Sequence, residues 1–132
     1  MIVVDASAVL ELLLNTPAGQ AVAERITASE HGLHAPHLLD VEIAQALRRY
    51  AREGKLAPTE AAEAIDDLHD LDLNRHAHEP LVDRIWQLRD NFSAYDAAYI
   101  ALAEALDTVL LTCDARLTRA PGAGHRVKLV KA

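Results

Sequence analysis

The chain has a single cysteine, Cys113, so no disulfide can form within it and its stability must come from packing. It also lacks any apolar run near the roughly 20 residues that span a bilayer, and the opening MIVVDASAVLELLLNTP carries no basic stretch ahead of its apolar residues. Neither a membrane anchor nor a secretory leader is expected, and the expected location is cytoplasmic. Positive charge is in deficit: 13 Lys and Arg stand against 20 Asp and Glu, a formal net charge of -7. A protein whose whole surface grips nucleic acid shows the opposite balance. Only a local basic track, or a cation that reverses the sign of an acidic cleft, would then serve a phosphate ligand. Internal repeats, low-complexity tracts and linkers are missing as well. What is present is 51% hydrophobic and 25% charged residues over a length of 132, the profile of one compact domain over 1–132.

Short apolar runs alternate with amphipathic ones. IVVD (2–5) reads as a strand ending in an acid, and SAVLELLL (7–14) as a short helix that stops before Asn15 and Pro17. AGQAVAERITAS (18–29) has helical spacing, and GLHAP (32–36) is a brief strand closed by proline. In HLLDVEIAQALRRYARE (37–53), Leu39, Ile43, Leu47 and Tyr50 recur at steps of four, four and three, the buried stripe of a helix that ends at Gly54. PTEAAEAIDDLHDL (58–71) and EPLVDRIWQLRDN (79–91) read as two more helices, joined by the polar DLNRHAHE. TVLLT (108–112) and RVKLV (126–130) are strands separated by a turn-like APGAG. Strands that alternate with helices and are apolar on both faces imply an α/β fold with a mostly parallel sheet covered on two sides.

Such sheets place their sites at the carboxyl ends of the strands. Asp5 ends the first strand, Asp114 follows TVLLT, and Glu42 and Asp96 occupy the opening turns of helices beginning near 37 and 93. Glu42 falls off the Leu39–Ile43–Leu47 stripe, and Asp96 falls off a stripe of Tyr95, Tyr99, Leu102 and Leu106. All four acids can therefore reach one edge of the sheet. Each has a simpler reading: Ser93-x-x-Asp96 fits a capping box, Asp5 a turn residue, Asp114 a cap and Glu42 a solvated charge. Together they repel, and each raises the others' pKa unless a cation is present. A hard divalent ion such as Mg2+ or Mn2+ accepts carboxylate oxygens, resolves that repulsion and supplies chemistry for attack on a phosphodiester.

Other residues invite functional readings. Seven histidines, including the HAH at 76–78, lack an i, i+4 pair on one helix and read as solvated loop residues. Cys113 reads as a small packing residue at a strand end, since no basic partner is placed beside it. Arg48, Arg49, Arg52 and Lys55 make a basic run on the helix that carries Glu42. They form either a solvated face or a track for RNA phosphates leading to the acids. Trp86 is assigned to the core rather than to a base-stacking platform.

Four stretches, MIVVDASAVL, PHLLDVEIAQALRR, SAYDAAYIALAEAL and LLTCDARL, resemble in order and separation the four acidic motifs of PIN-domain ribonucleases. The length resembles the VapC-type toxins of VapBC toxin–antitoxin modules, and the similarity covers essentially the whole chain. The resemblance implies a three-layer α/β/α sandwich around a mostly parallel sheet. It implies that Asp5, Glu42, Asp96 and Asp114 form a pocket for Mg2+ or Mn2+, with Asp5 and Asp96 as direct ligands and Ser7 and Thr112 supporting them. It further implies an RNA substrate, a VapB-like antitoxin and a homodimer or larger toxin–antitoxin assembly.

Three functional classes follow: a metal-dependent endoribonuclease toxin, a receiver or phosphohydrolase, and a non-catalytic binding subunit. A phosphohydrolase start wants a second acid where Ser7 stands, and a receiver wants paired acids at the first strand, where only Asp5 is found. For the toxin, the expected inhibitor is an antitoxin helix lying in a groove between the segments near 7–14 and 37–53, followed by an arginine that reaches the acids.

Overall fold

A computed structural model describes residues 1–132. Its elements run β1 (Ile2–Val4), α1 (Ala6–Leu13), α2 (Pro17–Thr27), β2 (Leu33–Pro36), α3 (Leu38–Arg52), α4 (Pro58–Asp70) and β3 (Leu73–His76). A single 3-10 turn (Glu79–Leu81) leads into α5 (Val82–Gln87), α6 (Ala94–Ala105), β4 (Leu110–Thr112), α7 (Ala115–Arg119) and β5 (Val127–Leu129). No helix is long and apolar enough to cross a membrane.

All five strands are parallel, in the order β3-β2-β1-β4-β5. Helices α1 to α4 pack among themselves, whereas α6 lies across β1, β2 and β4 with α5 against it, giving the expected α/β/α layers. Apolar residues on both faces of the sheet explain the middle of this order. Val3, Val4, Leu110 and Leu111 are completely buried, as strands flanked by neighbours and covered above and below must be.

Local chemistry sets the helix boundaries. Thr16 caps α2 by accepting from the Gly19 amide, with Pro17 at the first helical position, where its missing N–H costs nothing. Gly19 is required by packing: a Cβ there would stand 2.0 Å from the Glu11 carbonyl oxygen of α1. In α6 every residue from Ala97 to Ala103 is buried, and its alanines let a helix buried on all sides approach the sheet closely.

Three expectations are corrected. The polar DLNRHAHE is not a loop, because Leu73–His76 pairs with β2 along its full length. As an edge strand with two exposed residues, it needs no apolar alternation to form. The expected helix over 79–91 is a 3-10 turn and a six-residue helix. Trp86 is not core: it is 65% exposed, with the Arg89 guanidinium 4.5 Å above its ring, while Ile85 and Leu88 of the same segment face inward.

Candidate active site

The chain builds β1, β2 and β3 outward in one direction, then returns through α5 and α6 to lay β4 and β5 on the other side of β1. The reversal lies between β1 and β4, and a crevice opens at the carboxyl ends of strands at such a point. Asp5 follows β1 there, and Thr112 and Asp114 lie at the end of β4. A cleft of about 500 Å³ occupies this crevice, lined by Asp5 and Ser7, by Glu42 and Arg49 of α3, by Asp96 and Tyr99 of α6, and by Asp114 and Arg116. All four acids singled out in the sequence therefore border one space.

Asp5 is nearly buried, 7% exposed, and is the most constrained of the four. One carboxylate oxygen accepts from the Ser7 hydroxyl at 2.6 Å and from the Ala8 amide at 3.0 Å, which caps α1. The other accepts from the hydroxyl of Thr112, itself fully buried. Ser7 and Thr112 are also tied to the β4 end, accepting from the amides of Cys113 and Asp114 at 2.9 and 3.0 Å. Burial outweighs these donors, so the Asp5 carboxyl is pushed up to about 6, with a further push from the charge of Asp96.

Glu42 is half-buried and accepts from the Tyr99 hydroxyl at 2.6 Å, a bond that joins α3 to α6. Burial raises its pKa, as does Asp96. The same burial, with Glu42 as acceptor, drives the Tyr99 phenol far above its ordinary value, so it remains a donor. Periodicity places Tyr99 in the buried stripe, and its hydroxyl contact with Glu42 has no local sequence signal.

At Asp96 the two readings of SAYDAAYIALAE separate. The Ser93 hydroxyl accepts from the Asp96 amide at 3.1 Å and so caps α6. The reciprocal bond of a capping box, from the Ser93 amide to the Asp96 carboxylate, is not made. The cap rests on Ser93, while the carboxylate borders the cleft with its pKa raised by burial and by Asp114. Asp114 behaves oppositely: it caps α7 through the Arg116 amide and forms a two-pronged pair with the Arg116 guanidinium at 2.8 and 3.1 Å, which lowers its pKa. Arg116 stands two residues after the acid, and that spacing is the one signal that could have marked it.

The basic run divides. At roughly 100° per helical residue, Arg49 shares a face with Glu42 and lines the cleft. Arg48 and Arg52 are exposed and border no part of it, and Lys55 lies past the helix end, paired with Glu53 at 2.9 Å. Tyr95 does not belong to the buried stripe; it is 65% exposed at the mouth of the cleft. Cys113 is half-buried with its thiol pushed up to about 11 by burial, the state of an inert packing residue.

His31, His37, His69 and His125 are exposed, as the solvated reading expects, whereas His34, His76 and His78 depart from it. His34 and His76 share a hydrogen bond of 2.9 Å across β2 and β3, and His78 accepts from the Leu38 amide at 2.9 Å, capping α3. Burial, then His34 and His37, lower the pKa of His76. These rings organise the sheet edge that launches α3 and lie outside the cleft.

A hard oxygen set of four carboxylates, three of them (Asp5, Glu42 and Asp96) raised by burial and by the charge of a neighbouring acid, fits a hard divalent ion. No three His, Cys, Asp or Glu side chains stand close enough to hold one ion together. An ion bound here would therefore take only one or two of the carboxylates directly and keep several waters, a mode open to Mg2+.

A parallel sheet of this order, with an acid at the end of β1, further acids on α3 and α6 and a fourth after β4, defines a class. The family model described as PIN domain matches residues 2–123, and the chain belongs to the PIN domain family. It is similar to Ribonuclease VapC1 of Mycobacterium tuberculosis, with 45% identity over 98% of this chain and 97% of that protein. Among solved structures, PAE2754 from Pyrobaculum aerophilum superposes with a TM-score of 0.67 at 27% identity, covering 92% of this chain and 80% of that one. A toxin–antitoxin complex from Klebsiella pneumoniae superposes with a TM-score of 0.66 at 14% identity, covering 97% and 96% of the two chains, a likeness of fold alone.

Proposed function

We propose that this chain is the toxin of a toxin–antitoxin pair and that its cleft hydrolyses phosphodiester bonds within RNA. The observation that carries the reading is the placement of four acids around one cleft at the sheet's reversal, in a protein similar to a ribonuclease over nearly its full length. Asp5 and Asp96 would ligate Mg2+ or Mn2+ directly, with Glu42 and Asp114 reaching the ion through its waters. When bound, such an ion polarises a phosphoryl oxygen and lowers the pKa of a bound water.

The chain's own residues have separable roles. Ser7 and Thr112 donate to Asp5 and fix both of its oxygens, and Tyr99 fixes Glu42. Arg49, which lines the cleft and forms no ion pair with its acids, would meet the negative charge of the RNA backbone. The test is cleavage of single-stranded RNA by the purified chain with Mg2+ or Mn2+ added. Activity that appears with the ion and stops on chelation supports the reading, and activity unaffected by chelation overturns the metal role.

A toxin acting on cellular RNA has to be restrained by its antitoxin. The pair between Arg116 and Asp114 illustrates how a guanidinium fork satisfies an acid of this cleft. An antitoxin arginine reaching the remaining acids would neutralise them and compete with the cation. Replacing that arginine should restore partial RNA cleavage within an intact complex. A complex whose activity stays fully suppressed after the replacement would refute blocking by charge.

A further inference from the structure

The acids are not the only residues that α3 and α6 bring to the cleft. Each acid is preceded in sequence by an exposed apolar side chain: Val41, 71% exposed, before Glu42, and Tyr95, 65% exposed, before Asp96. Both line the cleft, one from each wall. On α3 the stripe continues at helical spacing, since Val41, Gln45 and Arg49 lie four residues apart on one face and all three border the same space. An aromatic face and an aliphatic surface thus sit beside the acids, followed by an amide that both donates and accepts and then by a cation.

We propose that Tyr95 and Val41 form a slot for one nucleobase of the RNA next to the phosphate being cleaved, with Gln45 bonding the edge of that base and Arg49 holding a neighbouring phosphate. The inference rests on the nuclease reading and adds to it the residues that choose the cleavage position. A single strand alternates an aromatic base with an anionic phosphate, and the cleft offers an aromatic face and a cation in the same alternation. A base has a π face for Tyr95 and a polar edge for Gln45, and in a duplex that edge would be paired.

The features nearby argue against a purely apolar protein seat. Val41 and Tyr95 are bordered by Gln45, Arg49 and the carboxylates, whereas a docked amphipathic helix wants a continuous apolar groove. Trp86, the other large exposed aromatic, lies on α5 outside the cleft with Arg89 over its ring.

The experiment uses the full chain with Mn2+, without antitoxin, on a pool of short single-stranded RNAs of random sequence whose cut sites are sequenced. KM and kcat are then measured on the preferred substrate. Tyr95→Ala should raise KM by about 10-fold or more, the effect of losing one stacked base, with a smaller change in kcat. Tyr95→Phe should restore it, and Gln45→Ala should broaden the base preference next to the cut. Since Tyr95 is largely exposed, its replacement does not threaten the fold. Unchanged KM in Tyr95→Ala, together with an unchanged cut-site profile in Gln45→Ala, overturns the slot while leaving the nuclease standing. If Tyr95→Ala cleaves RNA normally but no longer binds the cognate antitoxin, the apolar pair belongs to the protein partner and the inference also fails. A wild-type chain that cuts no RNA in the pool removes the nuclease reading, and the slot with it.

Discussion

Replacing Asp5 by Asn should stabilise this protein at neutral pH and inactivate it. In the folded chain burial lifts the Asp5 carboxyl from 3.8 to about 6. At about 1.4 kcal/mol per pH unit, that difference corresponds to a penalty on the order of 3 kcal/mol for carrying the charge in the native state. Below 3.8 the group is neutral both folded and unfolded, so no penalty exists. As pH rises towards 6 the unfolded chain releases the proton first, stability falls, and above about 6 the penalty is complete. Asparagine removes the charge and suits the site. Its oxygen can keep the bonds from Ser7 and Ala8, and its amide can donate to Thr112, whose hydroxyl then turns towards Ser7, 3.2 Å away. Urea unfolding with chelator present should give nearly equal stabilities near pH 4, and an advantage of up to about 3 kcal/mol for Asp5→Asn near pH 8. RNA cleavage by the same variant should fall by at least ~10²-fold. A variant less stable than the parent at both pH values would refute the reasoning, because the three donors would then favour the anion by more than burial opposes it.

Mn2+ should raise the melting temperature of the parent chain, adding roughly 2.7 kcal/mol at about 100 times Kd. Asp96→Asn should lose most of that gain by calorimetry while keeping its helix, since the cap is the Ser93 hydroxyl. Gly19→Ala ought to gain up to about 1 kcal/mol from helix propensity alone. The new Cβ would instead stand 2.0 Å from the Glu11 oxygen and 2.9 Å from the Leu12 nitrogen, both backbone atoms that cannot rotate aside. A net loss of more than about 2 kcal/mol in thermal unfolding is expected, and a variant as stable as the parent would show that α1 and α2 can separate freely.

The parts of this structure legible in the sequence are those governed by local period and by strand ends. Leu39, Ile43 and Leu47 are all buried at the spacing that marked α3, and the acids at the ends of β1 and β4 meet because a parallel sheet gathers its carboxyl ends. What failed depended on facts the period does not carry. β3 is an edge strand whose pairing with β2 sets its conformation, so its composition looks like loop. Tyr95 and Tyr99 are one helical turn apart and both aromatic, yet one is exposed and the other buried, because Tyr95 lies in the first turn of α6 at the cleft mouth while Tyr99 lies within its buried stretch. Trp86 lies on a helix of six residues, too short for its stripe to be read. The histidines are separated by about forty positions in sequence and meet only through the register of β2 with β3.

The choice of partners for the four acids bears on what the cleft is for. Of the chain's ion pairs, only Arg116 with Asp114 reaches it. Asp5 and Glu42 are held by hydroxyls, from Ser7 and Thr112 in one case and from Tyr99 in the other. A hydroxyl orients a carboxylate without cancelling its charge, whereas a buried lysine or arginine would fix it and neutralise it together. The fold therefore positions these two acids without neutralising them, at a cost in stability that Asp5 makes measurable. That cost is reversed by whatever brings positive charge into the cleft. A divalent ion and an antitoxin arginine would relieve the same repulsion, so they should bind in competition, each weakening the other by an equal factor at equilibrium.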